Sequence, residues 1–350
     1  MTAVTTQDTG LERIRNIEAG RAVAAILVVF YHIDKYYFDS ARYWREDFLG
    51  GLFSFGHAGV EFFFVLSGLL MTMIHFDDLG KPGRLGPFVK KRFARIYPFY
   101  WACLALLFVA VLVVPALATA RPPTLARMLP SIVLAGDNPL NTFLFVAWTL
   151  YHEVLFYAVF ALAIWRPKIG VPLALIWFAT CFALAREDEA TLYPLKFINV
   201  LFLFGIFTGL VLRRATVPLP GLLAALGTAL FLAAGFDDAF FHLLSRPPQI
   251  AAYGLGAAMV LVGSVMLERQ GRMVAPAALV LAGQASYSIY LTHMLVLAVA
   301  AKLALRLGIP AWLPGPIGFV GLAAAAILGG IVVHRLVEKP LVRATRRRLG

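Results

Sequence analysis

An arginine and a histidine lie eleven residues apart within one apolar segment of the chain. Arg21 and His32 both belong to the sequence NIEAGRAVAAILVVFYHIDKYY. Because a helix turns about 100° per residue, this spacing brings both side chains to nearly the same face, roughly 16 Å apart along the axis. Ionisable groups inside a membrane are costly and usually mark a working site, so the pair predicts a cation and a titratable base facing one polar interior. Alternatively, Arg21 is a snorkelling anchor and His32 a hydrogen-bonded core residue.

Two other apolar segments contain carboxylates. Glu61 lies within HAGVEFFFVLSGLLMTMI, where it must be paired, protonated or hydrated, unless it caps a helix at the interface. In WTLYHEVLFYAVFAL, the spacing places Thr149, Glu153 and Tyr157 on one helix face. His152 is expected to face the interface or a different neighbour, because adjacent residues on a helix point in different directions.

Polar and small side chains also occupy single helix faces elsewhere. Ser286, Tyr290 and His293 in GQASYSIYLTHMLVL are spaced by four and three residues, which is one face. His293 either hydrogen-bonds between packed helices or faces a polar cavity. Ser67-Gly68 favours a close helix approach over a nucleophilic serine.

A basic segment, FVKKRFARIYPFYW, precedes the third apolar stretch. Arg92 and Arg95 are three residues apart and share a helix face, with Lys90 and Lys91 adjacent. Two guanidinium groups aimed together suit phosphate, which each can bind through two parallel hydrogen bonds. The alternative is that these cations set the membrane topology and contact lipid head groups.

The composition indicates a helical membrane protein. The chain of 350 residues is 61% hydrophobic and 14% charged, and its mean hydropathy is +0.80. The apolar residues form blocks long enough to span a bilayer, and short alternating strands are not seen. We predict an all-α, polytopic transmembrane bundle of about ten spans. These cover roughly 17–36, 53–75, 96–118, 141–165, 170–185, 196–212, 219–235, 249–267, 278–301 and 315–336.

The charge of the loops predicts the orientation. Most of the 31 Lys and Arg residues fall on one side of the predicted bundle, together with both termini, which the positive-inside rule places in the cytoplasm. The acidic runs Glu187–Glu189 and Asp237–Asp238 fall opposite. A short run at 129–135 is too brief to span and is predicted to be re-entrant or interfacial. We expect a single domain over 1–350, with polar tails at about 1–12 and 341–350.

Several classes of function lack support in the sequence. The net charge of +12 resides in loops between spans, so it indicates topology and gives no reason to expect nucleic acid. Cys103 and Cys181 fall in apolar spans and predict neither a disulfide nor a metal site. No metal, P-loop or dinucleotide-binding motif occurs. The polar N-terminus resembles no cleaved signal peptide, so the first span is expected to act as its own insertion signal.

Taken in chain order, these segments resemble the acyltransferase 3 family of bacterial membrane acyltransferases. The resemblance runs through NIEAGRAVAAILVVFYH, GVEFFFVLSGLL, FVKKRFARIYPFYW, WTLYHEVLFY, LFLFGIFTG, ASYSIYLTH and HRLVEKPL, and so covers nearly the whole chain. The WTLYHEVLFY variant is most similar to the exopolysaccharide acetyltransferases of the ExoZ type. The resemblance implies a multi-pass protein of the bacterial inner membrane. It also implies transfer of an acyl group, commonly acetyl from acetyl-CoA, to a hydroxyl of an envelope or exported glycan or its lipid-linked precursor.

The family's motifs can be placed residue by residue. Its Arg–ten residues–His motif matches Arg21 and His32, and its Arg-x-x-Arg motif matches Arg92 and Arg95. Its acidic position in the second span, usually Asp, is Glu61. Its Trp-x-Leu-x-x-Glu motif matches Trp148, Leu150 and Glu153, and the second Glu that often follows is Val154 here.

From these positions we predict O-acetyl transfer in which His32 acts as general base on a sugar hydroxyl. A carboxylate, Glu153 or Glu61, orients His32 or positions the sugar. In an alternative mechanism, His32 is a nucleophile that carries the acetyl group.

We predict that Arg92 and Arg95, with Lys91, hold the CoA phosphates. Arg21 then lines the path of the pantetheine arm or stabilises the thioester oxygen. The acceptor is expected to contact the side chains Trp148, Tyr157, Tyr290 and His293. The expected partners are acyl-CoA, a glycan and membrane lipids, with no metal. The rival class is a proton-coupled transporter or flippase of a glycan or lipid.

Overall fold

The computed structural model describes residues 14–38, 44, 48–113, 122–136, 138, 141–185 and 192–349. Within these residues the regular structure is helical throughout, and strands are absent. The α-helices are α1 (Arg15–Ile33), α2 (Gly59–His75), α3 (Leu85–Val113), α4 (Leu125–Val133), α5 (Trp148–Trp165), α6 (Pro167–Ala183), α7 (Val200–Arg214), α8 (Pro220–Phe236), α9 (Arg246–Arg269), α10 (Ala277–Gln284), α11 (Ser286–Arg306), α12 (Gly315–Val333) and α13 (Lys339–Leu349).

The prediction of an all-α bundle with about ten spans is confirmed. In the described part of the chain, nine helical segments are long and apolar enough to cross a membrane, and Pro167–Ala183 is a shorter apolar helix. The predicted run at 129–135 overlaps the nine-residue helix α4. Residues 1–12 and the acidic run at 187–189 lie outside the described residues.

Three boundaries differ from the prediction in ways that affect the site. Helix α3 begins at Leu85, eleven residues before the predicted start at 96, so its basic segment is helical. The predicted span 278–301 is broken at Ala285 into α10 and α11. There α10 crosses α1 so closely that a Cβ on Gly283 would lie 1.9 Å from the Glu18 carbonyl oxygen.

The third difference concerns the end of the last span, which was predicted at 336. The last span does not stop at Lys339-Pro340. It passes through a π-helical turn, His334–Glu338, and continues as α13 to Leu349. Pro340 has no backbone N–H, so one intrahelical hydrogen bond is missing just after the point where this continuous helix changes from π to α.

The two ends of the bundle carry different polar contacts. One end, called here the basic end, contains hydrogen bonds from Arg213 to Asp77 at 2.7 Å and from the Arg15 backbone N–H to Glu268 at 2.9 Å. The other, called here the distal end, contains the contact of His57 with Asp238 at 2.7 Å. Helix α1 runs from the basic end to the distal end, and α2 returns.

Helices α2 and α7 are in backbone contact. A Cβ on Gly68 would lie 2.1 Å from the Phe202 carbonyl oxygen, and a Cβ on Gly205 would lie 2.0 Å from the Val65 carbonyl oxygen. The predicted role of the Ser67-Gly68 pair in close helix approach is therefore confirmed. Because Ser67 precedes Gly68 on α2, this close crossing also fixes the position of Ser67 relative to the surrounding helices.

Candidate active site

A cavity of about 1660 Å³ opens at the basic end and enters the bundle between α1, α2, α3, α5, α11 and α13. On α2 its lining extends from Ile74 to Val60, about 20 Å along the helix axis. Eight Lys or Arg residues and three Asp or Glu residues line it. Such an excess of cations in a low-dielectric cleft attracts an anionic ligand.

Arg21 lines this cavity where α10 and α11 meet. Its Nε donates a hydrogen bond to Ser286 Oγ at 3.2 Å. Its Nη1 lies 3.6 Å from the carboxylate of Glu18. The break at Ala285 therefore begins α11 with a serine that holds Arg21 against the cavity wall.

Arg92 and Arg95 both line the cavity, but each has its own neighbours. Arg92 Nη2 donates to His75 Nε2 at 3.2 Å, and its Nε is buried without a hydrogen-bond partner in the described structure. Arg95 lies 3.9 Å from Glu338 Oε1 and over the ring of Tyr287 at 5.7 Å. The unpartnered Nε–H of Arg92 is a donor that a bound anion would satisfy.

The polar stripe predicted on α5 is present and faces the cavity. The hydroxyl of Tyr157 donates a hydrogen bond to Glu153 Oε1, and Ser67 Oγ donates to the same oxygen at 3.3 Å. Farther in, Thr149 Oγ1 and the hydroxyl of Tyr290 are 3.0 Å apart. The inner part of the cavity thus has a carboxylate and several hydroxyl groups on its walls.

His152 and Trp148, in the first turns of α5, do not face the cavity. His152 donates through Nδ1 to Asn199 Oδ1 at 2.9 Å, so it points away from the stripe as predicted. Trp148 packs edge-on against His152 at 5.7 Å between ring centroids, and it is not among the described residues of the cavity lining.

His32 lies toward the distal end of α1, beyond the cavity. Its Nδ1 is 2.8 Å from the Val28 carbonyl oxygen and 3.3 Å from His293 Nε2. His293 Nδ1 is in turn 2.7 Å from the Tyr290 carbonyl oxygen. This pattern assigns the proton of each ring to Nδ1, which leaves the lone pair of His32 Nε2 available as a base.

The predicted common face of Arg21 and His32 is confirmed, since both contact α11 through Ser286 and His293. The predicted shared pocket requires correction. Arg21 lines the cavity, whereas His32 does not appear in its described lining. Tyr290 lines the inner wall of the cavity, and its ring centroid lies 6.1 Å from that of His293, so the histidine pair is next to that wall.

Glu61 belongs to a separate polar cluster at the distal end. Its Oε1 accepts a hydrogen bond from Arg246 at 2.9 Å and lies 3.6 Å from His57 Nδ1. His57 also contacts Asp238, whose carboxylate accepts a hydrogen bond from Tyr253 at 2.9 Å. The structure therefore shows neither Glu61 nor Glu153 hydrogen-bonded to His32; the side chain within 3.3 Å of its Nδ1 is His293.

Three residues of the site were missed in the sequence. His75, Tyr287 and Glu338 contact Arg92 or Arg95. Glu338 is buried and accepts hydrogen bonds from Ser288 at 2.6 Å and from His334 at 2.7 Å. The i, i+4 spacing of His334 and Glu338 was the available signal, but the predicted last span ends at 336, before Glu338.

Comparison with known proteins defines the class of this chain. The acyltransferase domain family matches residues 14–335. The exopolysaccharide production protein ExoZ of Rhizobium meliloti is 31% identical over 322 residues, which cover 85% of this chain and 93% of ExoZ. The acyltransferase MdmB of Streptomyces mycarofaciens is 27% identical over 334 residues, covering 84% and 82% of the two chains. No solved structure matches.

A third relative, protein 2 in the picA locus of Rhizobium radiobacter, is 32% identical over 169 residues, 43% of this chain and 82% of that protein. Since the family match covers most of the chain, the protein belongs to the acyltransferase 3 family. It is a multi-pass membrane O-acyltransferase whose helices surround a basic cavity.

Proposed function

We propose that this protein transfers an acetyl group from acetyl-CoA to a hydroxyl of an exported or envelope polysaccharide or of its lipid-linked precursor. The observation that carries the proposal is the histidine pair: His32 presents a base-competent Nε2 just beyond the inner end of a basic cavity. The names of two relatives, an exopolysaccharide production protein and an acyltransferase, support both a polysaccharide product and an acyl transfer.

The cavity suits acyl-CoA because cations lie near its basic end, where the phosphates would bind, and polar side chains lie farther in, where the pantetheine arm would extend. Arg92, Arg95 and Lys91 near its basic end would bind the diphosphate. Farther in, Arg21, Glu153 and Tyr157 would contact the pantetheine arm with its two amides. The thioester would then reach the level of Tyr290, close to the histidine pair.

Arg21 was considered either as part of the wall of the donor path or as a group that stabilises the thioester oxygen. Its separation from His32 favours the first role. Eleven residues of helix place the two side chains roughly 16 Å apart along the axis. An oxyanion donor must lie about 3 Å from the developing charge, so Arg21 would line the donor path and would not stabilise the oxyanion.

In the proposed reaction, His32 Nε2 removes the proton of the acceptor hydroxyl as its oxygen attacks the thioester carbonyl. The tetrahedral intermediate collapses with cleavage of the C–S bond, and the thiolate of CoA takes up the proton from His32. The hydrogen bond from His32 Nδ1 to the Val28 carbonyl would hold the ring in the tautomer that this step requires. An acetyl-histidine on Nε2 is the alternative, and a trapped acetyl-enzyme would reveal it.

The acceptor would enter from the distal end. The ring of Tyr36 stacks on His32 with centroids 5.8 Å apart and is 45% exposed there. The side chains of His57 and Arg246 are partly exposed, while Glu61 lies buried beneath them. Glu61 would therefore position the sugar through this cluster. Tyr290 and Tyr157 belong to the donor cavity in this arrangement, and His293 orients His32.

The charge of the loops supports an orientation. By the positive-inside rule, the basic end would lie in the cytoplasm with both termini, where acyl-CoA is present. The proposed membrane is the bacterial inner membrane, as the family resemblance implies. Donor and acceptor would then approach His32 from opposite faces of the membrane.

Replacement of His32 by Ala tests the proposal. Removal of a general base typically slows a reaction by about 10²- to 10⁴-fold. Purified protein with acetyl-CoA and polysaccharide acceptor would be assayed for CoA release and for O-acetyl signals by NMR. The control is His242→Asn, a change of an exposed histidine at the distal end, which should retain full activity. Near-normal turnover of His32→Ala would refute the assignment of the base.

A further inference from the structure

Helix α13 is a basic helix that forms part of the cavity mouth. It contains five Lys or Arg residues and no acidic residue. Lys339, Arg346 and Leu349 line the cavity. These positions are spaced by seven and three residues, so they form one stripe along the helix. Arg348 falls on the opposite face, about 200° away from Arg346.

The position of α13 is fixed by contacts with the bundle. The Lys90 side chain on α3 donates to the Leu349 carbonyl oxygen at 2.5 Å. Leu341 packs against the main hydrophobic core. At the start of the helix, buried Glu338 is hydrogen-bonded to Ser288 and lies near Arg95. A helix held in this way presents the Arg346 stripe to the cavity, whereas a membrane-surface helix would present its cations to lipid.

The cations on this stripe differ from those deeper in the cavity. Arg21 and Arg95 each lie within 4.0 Å of a carboxylate. Within the described residues, no such ion pair involves Lys339 or Arg346. The described residues therefore leave the positive charge of this stripe without a carboxylate partner, which is the pattern of a site for a second anionic group.

We propose that α13 binds the 3′-phosphate of the CoA adenosine through Arg346, with Lys339 adjacent, and so makes the enzyme selective for CoA over 3′-dephospho-CoA. The inference rests on the proposed donor site. With the thioester deep and the diphosphate at Arg92 and Arg95, the ribose phosphate is the last anionic group toward the mouth. An Arg suits a phosphate monoester because its planar fork matches two oxygens.

The test compares coenzyme A with 3′-dephospho-coenzyme A as ligands of the purified full-length protein. Binding would be measured by calorimetry and by the ligand-dependent rise in Tm, neither of which requires an acceptor. For one partly exposed Arg–phosphate contact we expect the wild type to bind coenzyme A about three- to tenfold more tightly. Arg346→Gln should weaken coenzyme A binding by that factor, leave dephospho-coenzyme A binding unchanged and so remove the preference. The matched control Arg348→Gln should retain it.

Four outcomes would overturn the inference. If Arg346→Gln retains the wild-type preference, another residue binds the 3′-phosphate. If phosphatidylglycerol in the micelles raises the Tm in an Arg346-dependent way and the two coenzymes bind equally, α13 binds lipid. If coenzyme A binding is tight but indifferent to the 3′-phosphate, the donor site stands and this inference fails; if neither coenzyme binds, the proposed donor fails as well.

Discussion

Replacement of Gly205 by Ala should separate α2 from α7 and damage the cavity. A Cβ at this position would lie 2.0 Å from the Val65 carbonyl oxygen and 2.7 Å from the Leu69 backbone nitrogen. Both are backbone atoms, so no side-chain rotation can relieve the contact. Ordinary contact begins at 3.4 Å, so the helices must move apart by about 1.4 Å, the difference between 3.4 and 2.0 Å.

The consequences follow from what α2 carries. Overpacking of this kind typically costs about 1–3 kcal/mol, and the rigid neighbours here favour the upper part of that range. Ser67, next to the crossing, donates to Glu153 across the cavity at 3.3 Å, and a shift of that size is enough to break the hydrogen bond. We therefore expect Gly205→Ala to lower both the thermal stability and the rate of acyl transfer.

The assay is thermal unfolding of the purified variant in detergent, followed by acyl transfer at a temperature where it remains folded. The control is Gly321→Ala on α12, where an added Cβ meets nothing within 4 Å; this change should be neutral or slightly stabilising because Ala is the better helix former. If Gly205→Ala unfolds at the wild-type temperature, the reasoning from the close crossing is wrong.

Two further predictions concern charged groups at the two ends of the bundle. Arg92→Ala should raise the apparent KM for acetyl-CoA about tenfold or more with a smaller effect on kcat, because a charge-assisted hydrogen bond to the donor is lost; an effect confined to the KM for the acceptor would place the donor elsewhere. Glu61→Gln should destabilise the protein by about 2 kcal/mol, because it removes the buried negative charge that faces the guanidinium of Arg246 and the imidazole of His57. In thermal unfolding the double variant with Arg246→Gln should lose less than the sum of the two single changes, and additive losses would contradict a direct pairing.

Much of the site could be predicted from spacing within single helices. The common face of Arg21 and His32, the stripe from Thr149 to Tyr157 and the outward turn of His152 all depend on the 100° rotation per residue. That rotation is a local property of the backbone, so it can be worked out without knowing which helix packs where. The lengths of the apolar blocks similarly predicted the class of fold.

The pairings between helices could not be predicted in this way. His32 meets His293 across 261 residues of chain, and Glu61 meets Arg246 across 185. Which side chains meet depends on where two helices cross, and small residues such as Gly68 and Gly205 set that crossing. The expected carboxylate partner of His32 is absent from the structure for this reason: Glu61 is held at a different crossing.

The sequence by itself determined that the chain is a helical membrane bundle with an Arg and a His on one face of its first helix, and its ordered motifs indicated the acyltransferase family. Only the tertiary structure decided that Arg21 lines a basic cavity while His32 lies beyond its inner end, and that α13 closes one side of the mouth. Periodicity along a helix is fixed by local backbone geometry, whereas the enclosure of a cavity depends on the mutual packing of helices that are distant in the chain.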